Sequence, residues 1–202
     1  MDRHEINLHR IQHALARPVR TSSDYDLDPK ARPLAPPLLR PASVLVPLVE
    51  RGATLSLILT RRTAGLAHHP GQIAFPGGKR DPGDADDEAT ALREAHEEIG
   101  LEPSDVEVLG TFDRHETVTR FNVTPFVGLV AERFHPRPDR GEVDEVFEVP
   151  LAFVLDPANH QQHRRRLNGQ WRSYYAIPFG PHYIWGATAR MIRTLAERMR
   201  AE

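Results

Sequence analysis

REAHEEIGL, residues 93–101, is the stretch that decides the fold of this 202-residue chain, together with FPGG at residues 75–78. At a helical period of about 100° per residue, Glu97 lies about 60° to one side of Glu94, and Glu98 lies about 40° to the other side. All three carboxylates therefore project from one face of a predicted helix. An acidic helix face that follows a glycine turn is typical of a functional site.

The opposite face of this helix is apolar, because Leu92, Ala95 and Ile99 share it and can pack on a core. Like charges three and four residues apart destabilise a helix by roughly a few tenths of a kcal/mol per pair, so the three glutamates favour a bound cation over a solvated acidic surface. Carboxylate oxygens suit hard divalent ions, which keep several waters and bridge to phosphate oxygens. The pattern therefore predicts Mg²⁺ or Mn²⁺ at the three glutamates.

The glycine pair Gly77-Gly78 is expected to serve the geometry of the backbone. Glycine permits positive φ angles and a close approach of a backbone carbonyl or amide to a metal or a phosphate. We therefore predict that Gly78 lies at the metal site and that both glycines contact the substrate. A simple turn is the alternative.

This segment resembles the signature of the Nudix hydrolases, G-x5-E-x7-R-E-U-x-E-E-x-G-U, in which U is aliphatic. Residues 93–101 fit its second half, with Ala95 as a small U. In the first half, Ala85 stands where the first glutamate is expected, and Asp84 beside it is the candidate to replace that acid. The resemblance implies an α/β protein with the Nudix fold, a mixed β-sheet in an α/β/α sandwich. It also implies metal-dependent hydrolysis of a diphosphate bond.

A second resemblance concerns ILTRRT at residues 58–63, Gly71 and the FPGG turn. They are similar to the extra motif of the coenzyme A diphosphatase branch, L-L-T-x-R-S-x3-R-x3-G-x3-F-P-G-G. This resemblance implies that the substrate is coenzyme A or a derivative and that the products are 3′,5′-ADP and 4′-phosphopantetheine. Ala67 stands where the motif has an arginine, and His68 and His69 lie next to it.

Arg62 stands on this motif and is the predicted phosphate contact, because a guanidinium can bind phosphate through two parallel hydrogen bonds. We expect Arg62 to favour a 3′-phosphorylated substrate over its dephospho form. A second basic group, Arg164, Arg165 and Arg166, is followed by Trp171, Tyr174 and Tyr175. These residues form a candidate flank for a 3′-phosphoadenosine group, and solvated arginines beside core aromatics are the alternative.

Arg93, Glu94 and Glu145 are the candidate catalytic residues. Glu94, or a carboxylate from elsewhere in the chain, would orient the attacking water, and Arg93 would pair with an acid and fix its rotamer. A surface salt bridge is the alternative for Arg93. Nudix enzymes often add an acid from a late loop, and Glu145 is assigned to this position among the acids Glu142, Asp144 and Glu145.

Composition limits the other classes of function. A formal net charge of −2 gives no general attraction to nucleic acid or to an anionic membrane. The chain has no cysteine, so neither a disulfide framework nor a thiol nucleophile is available. Its apolar runs are too short to span a bilayer, and its N-terminus lacks the apolar core of a signal peptide. We expect a cytoplasmic protein without nucleic-acid or membrane partners, and a homodimer remains open.

The order of segments predicts an N-terminal helix and proline-rich arm at residues 1–41 and one domain at residues 42–202, which the resemblance implies is a Nudix hydrolase domain. Ile6, Ile11 and Leu15 mark the helix, and residues 17–41 are interpreted as lying outside the core. Helices are predicted at residues 86–99, ended by Gly100, and at residues 186–199. Strands are predicted at residues 44–49, 54–59, 106–112, 121–130 and 143–149.

Two alternatives to a coenzyme A diphosphatase stay open at this point. The first is a Nudix hydrolase of another diphosphate, such as NADH, ADP-ribose or a nucleoside triphosphate, which Ala67 makes more credible. The second is a non-catalytic Nudix protein that binds a nucleotide and regulates another process. The intact pairs Arg93-Glu94 and Glu97-Glu98 argue against the second alternative, because a binding module has no need for this carboxylate cluster.

Overall fold

The computed structural model describes residues 8–34, 38–65, 69–167 and 169–200. Three positions singled out above, Ile6, Ala67 and His68, lie outside these residues, so the expectations placed on them stay predictions. In the part of the chain that is described, no helix combines the length and the apolar character that crossing a membrane requires.

Nine strands of the described chain form one mixed sheet. They are β1 (Thr21–Ser23), β2 (Arg40–Arg51), β3 (Thr54–Arg62), β4 (Ile73–Ala74), β5 (Gly77–Lys79), β6 (Val106–Thr111), β7 (Arg114–Glu116), β8 (Phe121–Val130) and β9 (Val143–Pro150). The order is β1-β7-β8-β2-β3-β4, while β5 pairs with β2, β6 with β8 and β9 with β3. The pairs β1-β7 and β2-β8 are parallel, and the others are antiparallel.

Three further strands form a separate antiparallel sheet that the sequence analysis did not predict. They are β10 (Gln161–Leu167), β11 (Gln170–Phe179) and β12 (His182–Trp185). The strand β12 lies against β4 of the large sheet, and helix α4 (Gly186–Arg200) follows it directly. The small sheet is therefore positioned beside the FPGG turn that follows β4.

The predicted α/β/α arrangement is confirmed. Helix α2 (Asp87–Ile99) packs on one face of the large sheet, and α1 (Leu8–Leu15), α3 (Leu151–Leu155) and α4 pack on the other. Residues of β2 alternate between the two layers, with Leu45 in the α2 core and Val46 in the opposite core, as a strand period of two requires. Burial of each large apolar side chain in these layers contributes roughly 1.5–3 kcal/mol.

Helix α2 forms where the sequence predicts it because both of its ends carry local signals. Asp86 caps the N-terminus and accepts a hydrogen bond from the backbone N–H of Ala89 at 2.8 Å. Gly100 ends the helix with a φ of 69°, a left-handed conformation that glycine adopts without strain. Of the predicted apolar face, Ala95 and Ile99 are buried and Leu92 is partly buried against the same core, which Ala91 also joins.

The interpretation of residues 17–41 as lying outside the core is wrong for Ser22, Ser23 and Tyr25. Thr21–Ser23 forms the parallel edge strand β1 on β7, Ser22 and Ser23 are buried, and the ring of Tyr25 is 9% exposed. The strand is only 3 residues long, and its partner lies far along the chain, with Thr21 opposite Arg114. No pattern in the neighbouring sequence predicts a strand pairing with so distant a partner. The predicted domain boundary at residue 42 stays a prediction.

Replacing Gly77 by alanine is expected to lower the free energy of unfolding by about 2–4 kcal/mol. A Cβ atom there would lie 2.4 Å from the carbonyl oxygen of Ser43 and 2.6 Å from the Cα of Val44, and the φ of Gly77 is 154°. Because both contacts are with the backbone of β2, the collision separates β5 from the sheet. Urea unfolding measures the change. Gly83→Ala is the matched control, because no atom of the described residues beyond its two chain neighbours lies within 4 Å of its added Cβ. Equal stabilities of the two variants would contradict the argument.

Candidate active site

A cavity of about 770 Å³ joins the acidic face of α2 to the glycine turn. Glu94 and Glu98 line it together with Gly77, Gly78 and Arg62, so the fold brings together most of the predicted site residues. Strand β5 places the two glycines beside α2, and strand β3 ends at Arg62. The site therefore lies where the end of one strand, a turn and a helix meet.

Glu98 is the most deeply buried acid of the cavity, at 4% exposure. Its carboxylate accepts a hydrogen bond from the backbone N–H of Gly77 at 3.2 Å, and Nη1 of Arg62 lies 3.5 Å away. Burial raises the pKa of Glu98 to about 8, because the hydrogen bond from Gly77 and the charge of Arg62 compensate only part of the cost of desolvation. The neighbouring charges of Glu94 and Glu142 raise the pKa further.

Glu94 lies against the backbone of the glycine turn. A Cβ atom on Gly78 would lie 2.4–2.5 Å from the atoms of the Glu94 carboxyl group, so only glycine leaves room for this carboxylate. Burial raises the pKa of Glu94, and the adjacent Arg93 opposes the rise. The group that comes close to Gly78 in the structure is therefore the carboxylate of Glu94. The predicted contacts of Gly78 with a metal and with the substrate stay predictions.

Arg93 is held by Asp84 and in turn holds two glutamates. Its Nε and Nη2 donate to the Asp84 carboxylate at 2.8 and 3.0 Å. Its Nη1 donates to Glu94 at 3.1 Å and to Glu97 at 2.9 Å. The bidentate guanidinium keeps the pKa of Asp84 well below its usual range, and Asp84 in turn raises the pKa of Arg93.

Asp84 is also fixed from its own loop and helix. It accepts a hydrogen bond from Thr90 Oγ1 at 2.9 Å, and its side chain is 6% exposed. Asp84 is not one of the described residues that line the cavity. Asp84 therefore contacts Arg93, which in turn contacts Glu94 of the cavity wall.

Two of the predicted acids, Glu97 and Glu145, are not among the described residues that line the cavity. The side chain of Glu97 is 57% exposed and pairs with Arg93. Glu145 lies within β9 rather than in a loop, opposite Arg61, and contacts Arg61 and His182 at 3.2 Å each. The cross-strand position that pairs Glu145 with Arg61 explains why this carboxylate is engaged elsewhere.

Glu142 is the late acid that lines the cavity instead. It precedes β9 at the point where the ladder with β3 shifts register between Arg61 and Arg62, and its carbonyl accepts a hydrogen bond from the N–H of Thr63 at 2.9 Å. A register shift of this kind changes the direction of the side chains next to it, here just before β9. Sequence reasoning noticed this acid but chose Glu145, because no local pattern reveals a register shift between two strands.

The acids of the cavity fit a hard divalent cation by their chemistry. Glu94, Glu98 and Glu142 supply only oxygen donors, and burial and mutual repulsion leave Glu94 and Glu98 with raised pKa values. A cation would relieve both effects. Within the described residues, no three Asp, Glu or His side chains converge into a ready-made metal site. Arg62 pairs with Glu98, and Arg93 pairs with Glu94 and Glu97.

Stability in the presence of a chelator is expected to fall as the pH rises from about 5 to about 8. Between its ordinary pKa of 4.5 and its folded value of about 8, Glu98 holds a proton that the unfolded chain has already released, so alkaline pH favours unfolding. The expected loss is on the order of 2 kcal/mol. Urea unfolding at several pH values measures it, with Glu98→Gln as the reference; parallel profiles for the two proteins would contradict the assignment.

The far side of the cavity is built by the small sheet and by α4. Of the predicted basic and aromatic flank, Arg165 and Tyr174 line the cavity, and they are joined by Arg172 and Trp185. The remaining members of the flank, Arg164, Arg166, Trp171 and Tyr175, do not line it. Trp171 is 59% exposed, and the Arg164 guanidinium lies 5.6 Å from its ring centroid.

Comparisons with known proteins agree with this geometry. A family model described as the NUDIX domain matches residues 39–168. A protein named uncharacterized Nudix hydrolase NudL from Enterobacter sp. (strain 638) is 42% identical over 161 residues, which cover 78% of this chain and 81% of that protein. The protein named peroxisomal coenzyme A diphosphatase NUDT7 from Mus musculus is 47% identical over 128 residues, which cover 63% of this chain and 54% of that protein.

A solved structure shows the same fold. The crystal structure of a NUDIX hydrolase from Alicyclobacillus acidocaldarius superposes with a TM-score of 0.54 and 21% identity, and the match covers 81% of this chain and 93% of that one. At this identity the similarity concerns the architecture alone.

Proposed function

This chain belongs to the Nudix hydrolase family, and from that premise we propose that it hydrolyses the diphosphate bond of coenzyme A or a derivative, giving 3′,5′-ADP and 4′-phosphopantetheine. The observation that carries the proposal is the shared cavity of Glu94, Glu98 and Arg62 beside the glycine turn. It combines buried carboxylates with a cation that can bind phosphate, which is the pairing that diphosphate hydrolysis requires.

A divalent ion, Mg²⁺ or Mn²⁺, would be held by Glu94, Glu98 and Glu142, with Glu97 joining them after release from Arg93. When bound, such an ion neutralises charge on phosphate oxygens and lowers the pKa of water. Hydrolysis joins a water oxygen to one phosphorus, breaks the bridging P–O bond and transfers the water proton to a carboxylate. Glu142 replaces Glu145 as the candidate late acid for this transfer, and Glu94 is the alternative.

The other residues of the site position the substrate and the acids. Arg62 contacts the diphosphate, because its guanidinium lies at the acidic end of the cavity beside Glu98. Arg93, itself held by Asp84, keeps Glu94 in place and pairs with Glu97 until an ion is bound. The backbone N–H of Gly77 holds the carboxylate of Glu98. We propose that these contacts preorganise the cavity before the substrate enters.

Coenzyme A is favoured over other diphosphates by two observations. The motif at residues 58–63, Gly71 and residues 75–78 is similar to that of the coenzyme A diphosphatase branch, and the mouse relative bears that name. Ala67 is the departure from the motif that keeps NADH, ADP-ribose and nucleoside triphosphates as alternatives.

The test is turnover of a panel that contains coenzyme A, dephospho-coenzyme A, NADH, ADP-ribose and nucleoside triphosphates, with Mg²⁺, with Mn²⁺ and with a chelator. We expect metal-dependent release of 4′-phosphopantetheine to exceed the turnover of every other compound. If another compound of the panel is cleaved faster, that compound and not coenzyme A is the preferred substrate. Binding of nucleotides without any cleavage would favour the non-catalytic alternative.

A further inference from the structure

Two arginines face each other on the wall of the cavity that belongs to the small sheet. Arg165 of β10 and Arg172 of β11 are direct cross-strand neighbours in the antiparallel ladder, and both line the cavity. Like charges directly opposite each other destabilise a strand pair. This arrangement on a cavity wall is therefore favourable when an anion lies close to both guanidinium groups.

Among the described residues, neither arginine has a carboxylate within ion-pair distance. Arg165 is exposed, and its guanidinium lies over the ring of Trp185, 5.0 Å from the centroid. Arg172 lies over the ring of Tyr25 at 4.9 Å and donates through Nη2 to the carbonyl of Ala31 at 3.3 Å. Its Nη1 is buried and has no hydrogen-bond acceptor within the part of the chain that the structure describes. An unmatched buried donor is costly unless a further acceptor arrives.

The surroundings hold this pair in place and add no opposing charge from its own sheet. Asp28 accepts hydrogen bonds from the backbone N–H and the hydroxyl of Ser173, next to Arg172. Residues 186–188, the first turn of α4, also line the cavity and contain no acid, so the positive end of the helix dipole faces the same space. Tyr174 and Trp185, in edge-to-face contact at 5.3 Å, supply aromatic surface beside the guanidinium groups.

Arg62 lies at a different part of the cavity wall. Its guanidinium is beside Glu98, where the scissile diphosphate is proposed to bind, while Arg165 and Arg172 belong to the small sheet. Cations from two different elements therefore line the cavity. A nucleoside diphosphate linkage would need only Arg62, whereas a substrate with an additional phosphomonoester would have a use for both.

We propose that Arg165 and Arg172 form the subsite that binds the 3′-phosphate of the substrate, with Tyr174 and Trp185 as the surface for its adenine. This inference rests on the proposed function and assigns the preference for a 3′-phosphorylated nucleotide to the small sheet. The role expected of Arg62 on sequence grounds accordingly changes from the 3′-phosphate to the diphosphate.

The test compares kcat/KM for coenzyme A and for dephospho-coenzyme A in the wild type, Arg165→Ala and Arg164→Ala. Arg164 is the matched control, because it is the adjacent exposed arginine of the same strand but stands over Trp171 and does not line the cavity. In Arg165→Ala we expect a loss of about tenfold or more for coenzyme A, as for a lost hydrogen bond to a charged group, and less than about twofold for the dephospho form. Arg164→Ala should leave both values unchanged.

Equal losses of kcat/KM for both compounds, or no loss for either, would overturn the inference.

A binding experiment separates a failure of the proposed subsite from a failure of the proposed function. Calorimetric titration of the wild type with 3′,5′-ADP and with 5′-AMP should show tighter binding of 3′,5′-ADP, and Arg165→Ala should remove the difference. If the wild type cleaves neither compound, the proposed function fails and the titration alone decides: a difference that Arg165→Ala abolishes supports the subsite, and equal affinities in the wild type refute it.

Discussion

Glu98→Gln is expected to lower kcat/KM by on the order of 10³-fold while the fold stays intact. The carboxylate is 4% exposed, lines the cavity and lies between the N–H of Gly77 and the guanidinium of Arg62. Glutamine keeps the shape of the side chain and one oxygen that can accept the hydrogen bond from Gly77. It removes the negative charge that a divalent ion and the proposed chemistry require. Steady-state kinetics at saturating Mg²⁺ or Mn²⁺ measure the effect.

The same variant should not be less stable than the wild type at pH 8 without metal, because it no longer places a carboxylate with a raised pKa in a buried position. Glu88→Gln is the matched control, since Glu88 is an exposed acid in the first turn of the same helix. We expect that control to retain wild-type turnover. Near wild-type activity of Glu98→Gln would remove Glu98 from the proposed metal site.

Gly78→Ala is expected to lower kcat/KM by on the order of a hundredfold with little change in stability. The added Cβ would meet the Glu94 carboxyl group at 2.4–2.5 Å, and this group is the far end of a flexible side chain. The carboxylate can therefore rotate away at small cost to the fold, but it leaves the position that the cavity requires. Kinetics and urea unfolding on the same preparation separate the two effects.

The neighbouring glycines supply the comparison for this variant. Gly77→Ala meets the backbone of β2 and should lose stability, whereas Gly83→Ala meets nothing and should lose neither stability nor activity. Full activity of Gly78→Ala would show that the position of Glu94 is unimportant for turnover. A stability loss in Gly78→Ala as large as that in Gly77→Ala would place the collision in the backbone rather than at Glu94.

The acidic helix and the main strands could be predicted because their signals are local. The periodicity of α2, its capping Asp86 and its terminal Gly100 all lie within one element, and contacts three and four residues apart decide whether such a segment is helical. The predicted run at residues 121–130 coincides with β8 for a similar reason, since apolar and β-branched residues lie next to one another in the sequence.

The contact between Arg93 and Asp84 shows a feature that prediction from neighbouring residues cannot provide. Residue spacing places Arg93 on the side of the acidic face, but its hydrogen bonds to Asp84 require the loop before α2 to fold back on the helix. The choice between Glu142 and Glu145 depends on a register shift between β3 and β9. Both outcomes are set by partners that adjacent residues do not specify.

By itself, the sequence determined the family, the α/β/α architecture and the acidic face of α2 that carries Glu94, Glu97 and Glu98. Only the tertiary structure decided that Glu94 and Glu98 line the cavity while Glu97 does not, that Glu142 joins them and that Arg165 and Arg172 line the same cavity. The physical reason is the range of the contacts. A helix face follows from a fixed angle per residue, whereas a cavity wall depends on strand pairings and register that connect distant parts of the chain.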